Sequence, residues 1–354
     1  MKDITVLSTA CGSAFMPGFF KCLKNNGERN IRIIGVDMQS DSSINLLVDK
    51  FYQVPSVSSD HYVDSLIDIC KKENVDIFFP QMSMELLKIL DYRKRFEDIG
   101  VIVSISSGET LHIANNKLKL YQFMKRRNLH IPKYYFLDEI YNLEKICSML
   151  GYPEKAVCIK ITEGSGSRGI RIVDSRKSRY DLFVNGKPNS LYTTLKDMIE
   201  ILSEKDKIPE MIVMEYLPGI EYSVDLLADN GKILYMVGRK NNESLMSIAQ
   251  ESTLAEEPIA YKLCTDLVRL LNLDGNIGFD FLYDEVGIPI LMDINPRLTA
   301  TISVSAAGGV NFPYLRIKQL LGENLPELEI NYGVKLKRRY LELFTDINGN
   351  EVVW

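Results

Sequence analysis

Through its first hundred residues the chain alternates short apolar runs with stretches of helical spacing. ITVLST (4–9), IRIIGVD (31–37), VDIFFPQ (75–81) and VIVSIS (101–106) are dense in β-branched and aromatic residues and predict four strands. Residues 15–25, YVDSLIDICKKEN (62–74) and MELLKILDYRKRFEDIG, which stops at Gly100, predict the intervening helices. This rhythm predicts an α/β protein that opens on a doubly wound parallel sheet over residues 1–112. NNKLKLYQFMKRRNLHIPKYY (115–135) then reads as a helix capped by Asn115 or Asn116, with Leu120, Phe123 and Met124 on one apolar face and Pro132 ending it. From about 155 to 300 strand-like runs and glycine turns dominate, with helices near 194–204 and 256–272. The tail, 332–354, predicts a last strand pair turning at Asn348-Gly349.

A length of 354 residues favours two or three packed units, and 46% hydrophobic with 25% charged residues is an ordinary globular balance. The formal charge of -5 and the absence of a long basic run (Lys125–Arg127 and Leu336–Arg339 are short) argue against a nucleic-acid partner. No window approaches 18 consecutive apolar residues, so no membrane partner is expected. The N-terminus reads as a first strand rather than a signal peptide, and the six cysteines include no C-x-x-C pair, which together point to the cytoplasm. Only His61, His112 and His130 are present, with no G-x-S-x-G or H-E-x-x-H, so any chemistry falls to carboxylates, lysines, arginines and metal.

Three segments carry that chemistry. The first turn, STACGSAF, has one glycine where a dinucleotide fingerprint needs three, so Asp37 reads as a polar residue closing a strand. In KAVCIKITEGSGSRGIRIVDS, by contrast, Gly164, Gly166 and Gly169 form a G-x-G-x-x-G between two β-like runs, which reads as a hairpin tip rather than a Rossmann turn. Glycines there let backbone N–H groups approach phosphate oxygens, Ser165, Ser167 and Arg168 add donors, and Lys160 stands on the strand between Ile159 and Ile161. The loop alone fits a surface hairpin with an outward Lys160 equally well. In GNIGFDFLYDEVGIPILMDINPRLTAT (275–301), Asp293, Asn295 and Arg297 alternate along one strand face. A two-residue turn at Val286-Gly287 puts Asp280 opposite Asp293, a four-residue turn over 284–287 puts it one step along the same face, and a three-residue turn puts it on the other. Two carboxylates and an amide among apolar residues are costly unless a hard divalent cation satisfies them; an Asp–Arg pair explains one carboxylate but not both and the asparagine.

In order and spacing these segments resemble the ATP-grasp superfamily over roughly residues 1–320, and the N-terminal segment with INPRLTATISVSAAGGVNFP resembles its carbamoyl-phosphate-synthase-like branch. The resemblance implies a pre-ATP-grasp Rossmann-like domain (1–112) and a two-lobed ATP-grasp fold, with a central lobe (113–190) and a C-terminal lobe (191–354). It implies that Lys117 and Lys160 contact phosphates, that the loop Gly164, Ser165, Gly166, Ser167, Arg168 and Gly169 closes over them, that Glu215, Tyr216 and Leu217 line the adenine, and that Glu221 holds the ribose. Asp280, Asp293 and Asn295 would bind two Mg²⁺, with Mn²⁺ as a substitute, and Arg239 and Arg297 would face the γ-phosphate and the acceptor carboxylate, with Lys160 as the third catalytic group. Asp293 stands where the superfamily more often has Glu. The implied activity is an ATP-dependent carboxylate–amine ligase working through an acyl phosphate on small molecules, amino acids among them, and the resemblance allows a homodimer. Phosphorylation of another acceptor and non-catalytic nucleotide binding are the alternatives. STACGSAF, PQMSMEL and KNNESLMS are the candidate acceptor loops, and 176–210 has no assigned role.

Overall fold

Strands β1 (Ile4–Ser8), β2 (Ile31–Asp37), β3 (Lys50–Gln53), β4 (Ile77–Phe79) and β5 (Ile102–Val103) form one sheet in the order β3-β2-β1-β4-β5, parallel at every pairing. The computed structural model describes every residue except 165–167, 188–189, 246–247, 340 and 354. Helices α1 (Met16–Lys24), α2 (Tyr62–Glu73), α3 (Ser83–Asp91), α4 (Arg93–Glu97) and α5 (Gly108–Ala114) accompany the sheet. Covered faces explain why β1, β2 and β4 read as near-continuous apolar runs. Two features were not legible. β3, KFYQ, is an edge strand with no buried residue, so it lacks the apolar signal. The helix expected to reach Gly100 breaks at Tyr92 into α3 and α4, and Phe96 packs its ring 5.3 Å from that of Phe78.

The second sheet takes β6 (Tyr134–Leu137), β7 (Val157–Ile161), β8 (Ile170–Val173), β9 (Tyr192–Thr193) and β10 (Met211–Glu215) in the order β6-β10-β7-β8-β9. It is preceded by α6 (Lys117–Lys125), and α7 (Leu143–Met149), α8 (Arg179–Asn185) and α9 (Leu195–Leu202) lie between its strands in the chain. Asn116 is the cap of α6, its side chain accepting from the Lys119 N–H. Leu120, Tyr121 and Met124 are fully buried. This sheet corrects the boundary expected at residue 190. β9 and β10 complete it from beyond that point, and the next sheet starts only at residue 221. A strand's own sequence, here MIVME, carries no mark of which sheet it joins. Segment 176–210 supplies α8, the edge strand β9 and α9, whose Met198 and Leu202 join Val157 and Val213 in one core.

The third sheet, wholly antiparallel, runs β15-β14-β11-β12-β13-β16, from β11 (Glu221–Asp229), β12 (Lys232–Leu245), β13 (Ile248–Leu254), β14 (Gly275–Tyr283), β15 (Pro289–Asn295) and β16 (Lys335–Lys337). α10 (Pro258–Leu271) shares its core with α6, while α11 (Ser303–Ala307) and α12 (Phe312–Leu320) pack toward α1. Beyond β16, among the described residues, the expected strand pair reduces to one bridge, Thr345 with Glu351, around a turn with Gly349 at φ +80°. Among the described residues no helix is long and apolar enough to cross a membrane.

Candidate active site

The β14–β15 hairpin brings Asp280 and Asp293 face to face by a route that differs from both registers read in the sequence. Its turn is five residues long: Tyr283 pairs with Pro289 and Phe281 with Leu291. Asp284 closes the turn, its Oδ1 accepting from Val286 N at 3.0 Å and Ile288 N at 2.8 Å. An odd turn would leave Asp280 opposite Met292. A bulge at Met292 absorbs one residue, so Asp280 pairs with Asp293 and Gly278 with Asn295. The bulged residue is itself held: its carbonyl accepts from Tyr121 Oη at 3.2 Å, and its Sδ lies 3.7 Å from Lys160 Nζ.

Around the two carboxylates the polar contacts are continuous. Asp280 accepts from Ser223 Oγ at 2.7 Å and from Asn295 Nδ2 at 2.8 Å. Asn241 Nδ2 donates to Ser223 Oγ at 3.0 Å and to Glu221 Oε1 at 2.9 Å, and Ser244 Oγ donates to Glu221 Oε2 at 3.1 Å. Burial, followed by the neighbouring Glu221 carboxylate, pushes the Asp280 carboxyl up to about 6. Lys117 Nζ sits 2.9 Å from Asp293 Oδ1 and also donates to Gly164 O at 3.3 Å, while its backbone N–H donates to Thr162 O at 3.0 Å. The pair therefore carries negative charge that protein donors relieve only in part, and the one lysine already on Asp293 shows that a cation fits there. Among the described residues no three His, Cys, Asp or Glu side chains converge as a metal cluster. Two carboxylates with an amide suit Mg²⁺ that takes its other oxygens from phosphates.

The two arginines part company. Arg297 donates from Nε to Ser83 Oγ at 3.0 Å, from Nη1 to Leu298 O at 2.9 Å and from Nη2 to Asn295 Oδ1 at 3.2 Å, so it joins the hairpin to the N-terminal sheet unit. Arg239 instead is 3% exposed and ion-paired to Asp225, with Nη2 3.4 Å from Thr299 Oγ1. The candidate acceptor loops STACGSAF and PQMSMEL meet at Glu85, which accepts from Thr9 Oγ1 at 2.6 Å, from the Gln81 and Met82 N–H groups at 2.7 and 2.9 Å, and from Tyr62 Oη. Burial pushes that carboxyl up. The third loop, KNNESLMS, has residues 240–245 in the last part of β12, and 246–247 lie outside the described residues.

At the other end of β10, Glu215 accepts from Lys133 N at 2.8 Å, Tyr216 shares a 3.2 Å hydroxyl contact with Tyr192, and Leu217 turns its side chain into the core, leaving its backbone for any ligand. Ser165, Gly166 and Ser167 lie outside the described residues. Of the rest of that loop, Arg168 is exposed, Gly164 packs its backbone over Ile161, and Gly169 has φ +68°. A Cβ on Gly169 would stand 2.6 Å from Ile161 Cδ1. Gly169→Ala is accordingly expected to destabilise the protein by about 1–3 kcal/mol, read as a fall in Tm; an unchanged Tm would mean that the loop base is not seated on Ile161. Ser83 and Glu85 fall within PQMSMEL and Asn241 within KNNESLMS, whereas Ser223, Asp225 and Thr299 are not among the site residues read from the sequence. The available signal was the E-x-S-x-D alternation of β11, which puts Glu221, Ser223 and Asp225 on one face.

Residues 207–339 match the family model described as ATP-grasp in the biosynthetic pathway with Ter operon, and residues 6–104 match the PylC-like N-terminal domain. The chain is 22% identical over 258 residues to the carbamoyl phosphate synthase large chain of Archaeoglobus fulgidus, covering 70% of this chain but only 22% of that one. It is 22% identical over 215 residues to the [butirosin acyl-carrier protein]–L-glutamate ligase of Niallia circulans, covering 60% of this chain and 49% of the relative. Among solved structures, the biotin carboxylase domain of Hydrogenobacter thermophilus 2-oxoglutarate carboxylase, a dimer in complex with MgADP, ADP and bicarbonate, superposes with a TM-score of 0.66 at 16% identity over 93% of this chain and 72% of that one.

Proposed function

We propose that this chain, an ATP-grasp protein behind a PylC-like N-terminal domain, is an ATP-dependent ligase that joins a small-molecule carboxylate to an amine, with amino acids as the first substrate class to test. The observation that carries this reading is the pairing of Asp280 with Asp293 beside Lys117, Lys160, Asn295 and Arg297. Lys117 and Lys160 converge on the hairpin from the start of α6 and from β7, where each meets a phosphate oxygen. Glu215 to Leu217 edge the adenine, and Glu221, held by Asn241 and Ser244, faces the ribose. Asp280, Asp293 and Asn295 would hold Mg²⁺, which when bound would neutralise phosphate charge.

Arg297 would hold the γ-phosphate in line with an acceptor carboxylate between β15 and the start of α3 at Ser83. Transfer of the γ-phosphoryl group gives ADP and an acyl phosphate; attack by an amine forms the amide and releases phosphate. The side chains align and neutralise charge, and none is consumed, in keeping with a site that contains no histidine. The Niallia circulans relative is named as a ligase of L-glutamate, which puts an amino acid among the substrates to test.

The test is Mg²⁺-dependent ADP release with an equimolar pool of the twenty amino acids, comparing wild type with Asp293→Ala. Pool-stimulated release that falls at least ~100-fold in the variant supports the ligase. Tight ATP binding with no stimulation by any pool would move another acceptor ahead, and no ATP binding would end the reading.

A further inference from the structure

Asp225 is the third polar residue of the β11 alternation, and none of the roles above uses it. It is 1% exposed, in the middle of the six-stranded sheet, and three donors from two different segments converge on it. Arg239 pairs with Oδ2, Thr299 Oγ1 donates to Oδ1 at 2.7 Å, and Ser305 Oγ lies 3.4 Å from Oδ2. Thr299 and Ser305 both belong to the segment that leaves β15 and carries Arg297. Space for this contact is provided by Gly278, opposite Asn295 on β14: a Cβ there would stand 2.2 Å from Thr299 Cγ2. Arg239 Nε has no partner among the described residues, so the ion pair is not an optimised one. A buried ion pair is weak evidence for stability, because an apolar pair of similar volume often serves as well. What it does supply is a fixed direction for a hydroxyl.

We propose that Asp225 and Thr299, over the missing Cβ of Gly278, are positioning residues that set the turn presenting Arg297. The chain of contacts is short. Arg297 N–H donates to Asn295 O at 2.7 Å, making a tight turn out of β15, and Arg297 Nη1 donates to Leu298 O at 2.9 Å. The next residue is Thr299, tied to Asp225. The guanidinium is thus fixed against a backbone whose direction is set by Asp225 on the same sheet face, and Nη2 stays on Asn295, which in turn holds Asp280. Thr299 acts through Arg297 and touches no ligand. The inference rests on the proposed contact of Arg297 with the γ-phosphate.

The experiment compares the affinities of Mg·ADP and Mg·AMP-PNP, whose ratio reports the contact to the third phosphate whatever the acceptor is. Thr299→Val keeps the shape and removes the hydroxyl. It is expected to lower the AMP-PNP preference about tenfold, the scale of one charge-assisted hydrogen bond, with Mg·ADP affinity within about twofold of wild type. Thr299→Ser retains the hydroxyl and most of the preference. Gly278→Ala should lower the preference by pushing on Thr299 Cγ2, and Thr299→Ser in the same chain should restore it, because serine lacks that methyl group; a purely structural loss would lower both affinities together. A wild-type preference in Thr299→Val and in Gly278→Ala, beside a collapsed one in Arg297→Ala, overturns the positioning role alone. A wild-type preference in Arg297→Ala overturns both this role and the γ-phosphate contact beneath it.

Discussion

Arg239→Ala is expected to lower the free energy of unfolding by about 3–5 kcal/mol, because it strips the counter-ion from a carboxylate that has no access to water. Asp225 is 1% exposed and Arg239 3% exposed, and they pair directly. Thr299 and Ser305 would remain as donors to Asp225, and two neutral hydroxyls do not replace a guanidinium. The companion Asp225→Leu with Arg239→Met removes both charges at similar volume and is expected to recover most of the loss. Urea unfolding of the three variants measures it. A loss below about 1 kcal/mol in Arg239→Ala would mean that Asp225 finds water or another donor, and that the guanidinium is free to leave it for a phosphate oxygen, as the family resemblance implied. The structure places Arg239 on the same sheet face as Ser223 and Asp280, and ties it there to Asp225. Arg239 pairs across the strands with Ser223, two residues from Asp225, so a long cation on that face reaches the carboxylate before it reaches solvent.

What was legible in the sequence was whatever depends on period and spacing. The alternation of β1, β2 and β4 with helices marked the parallel sheet, and the two-residue step from Asp293 to Asn295 marked one face of β15, while Arg297 lies past the strand's end. Asp280 opposite Asp293 was one of two readings, and it holds for a reason no local pattern shows. The five-residue turn gives the wrong parity and the Met292 bulge corrects it, and a bulge is decided by packing against Tyr121 and Lys160 from other segments. Partners distant in sequence were illegible for the same reason. Ser83 and Arg297 are 214 residues apart, and Thr9 and Glu85 are 76 apart, so their contacts exist only once the sheets have packed. Edge strands such as β3 and β9 fail differently. β3 has no buried residue and β9 is only two residues long, so neither carries an apolar signal.

Affinity for Mg·ADP is expected to weaken about tenfold for each pH unit below the value of about 6 to which burial and Glu221 push the Asp280 carboxyl. The sign follows from the ordinary carboxyl value of 3.8. The folded chain holds this proton more tightly than the unfolded chain does. Between the two values the fold therefore gains stability from protonation, and that contribution is lost as pH rises through about 6. Near neutrality the protein without cation carries a buried carboxylate beside Glu221, and a divalent cation is the partner that removes the penalty. At lower pH the proton takes the cation's place. Isothermal titration from about pH 5 to about pH 8 would show the slope, with Asp280→Asn as the reference. That variant keeps the acceptor for Ser223 Oγ but carries no charge, so its residual nucleotide binding should be flat with pH and its ADP release at least ~100-fold below wild type. A wild-type affinity that is level across the same range would place the cation away from Asp280, on Asp293 and the phosphates alone, and Lys117, 2.9 Å from Asp293, would then be the group that Mg²⁺ has to displace.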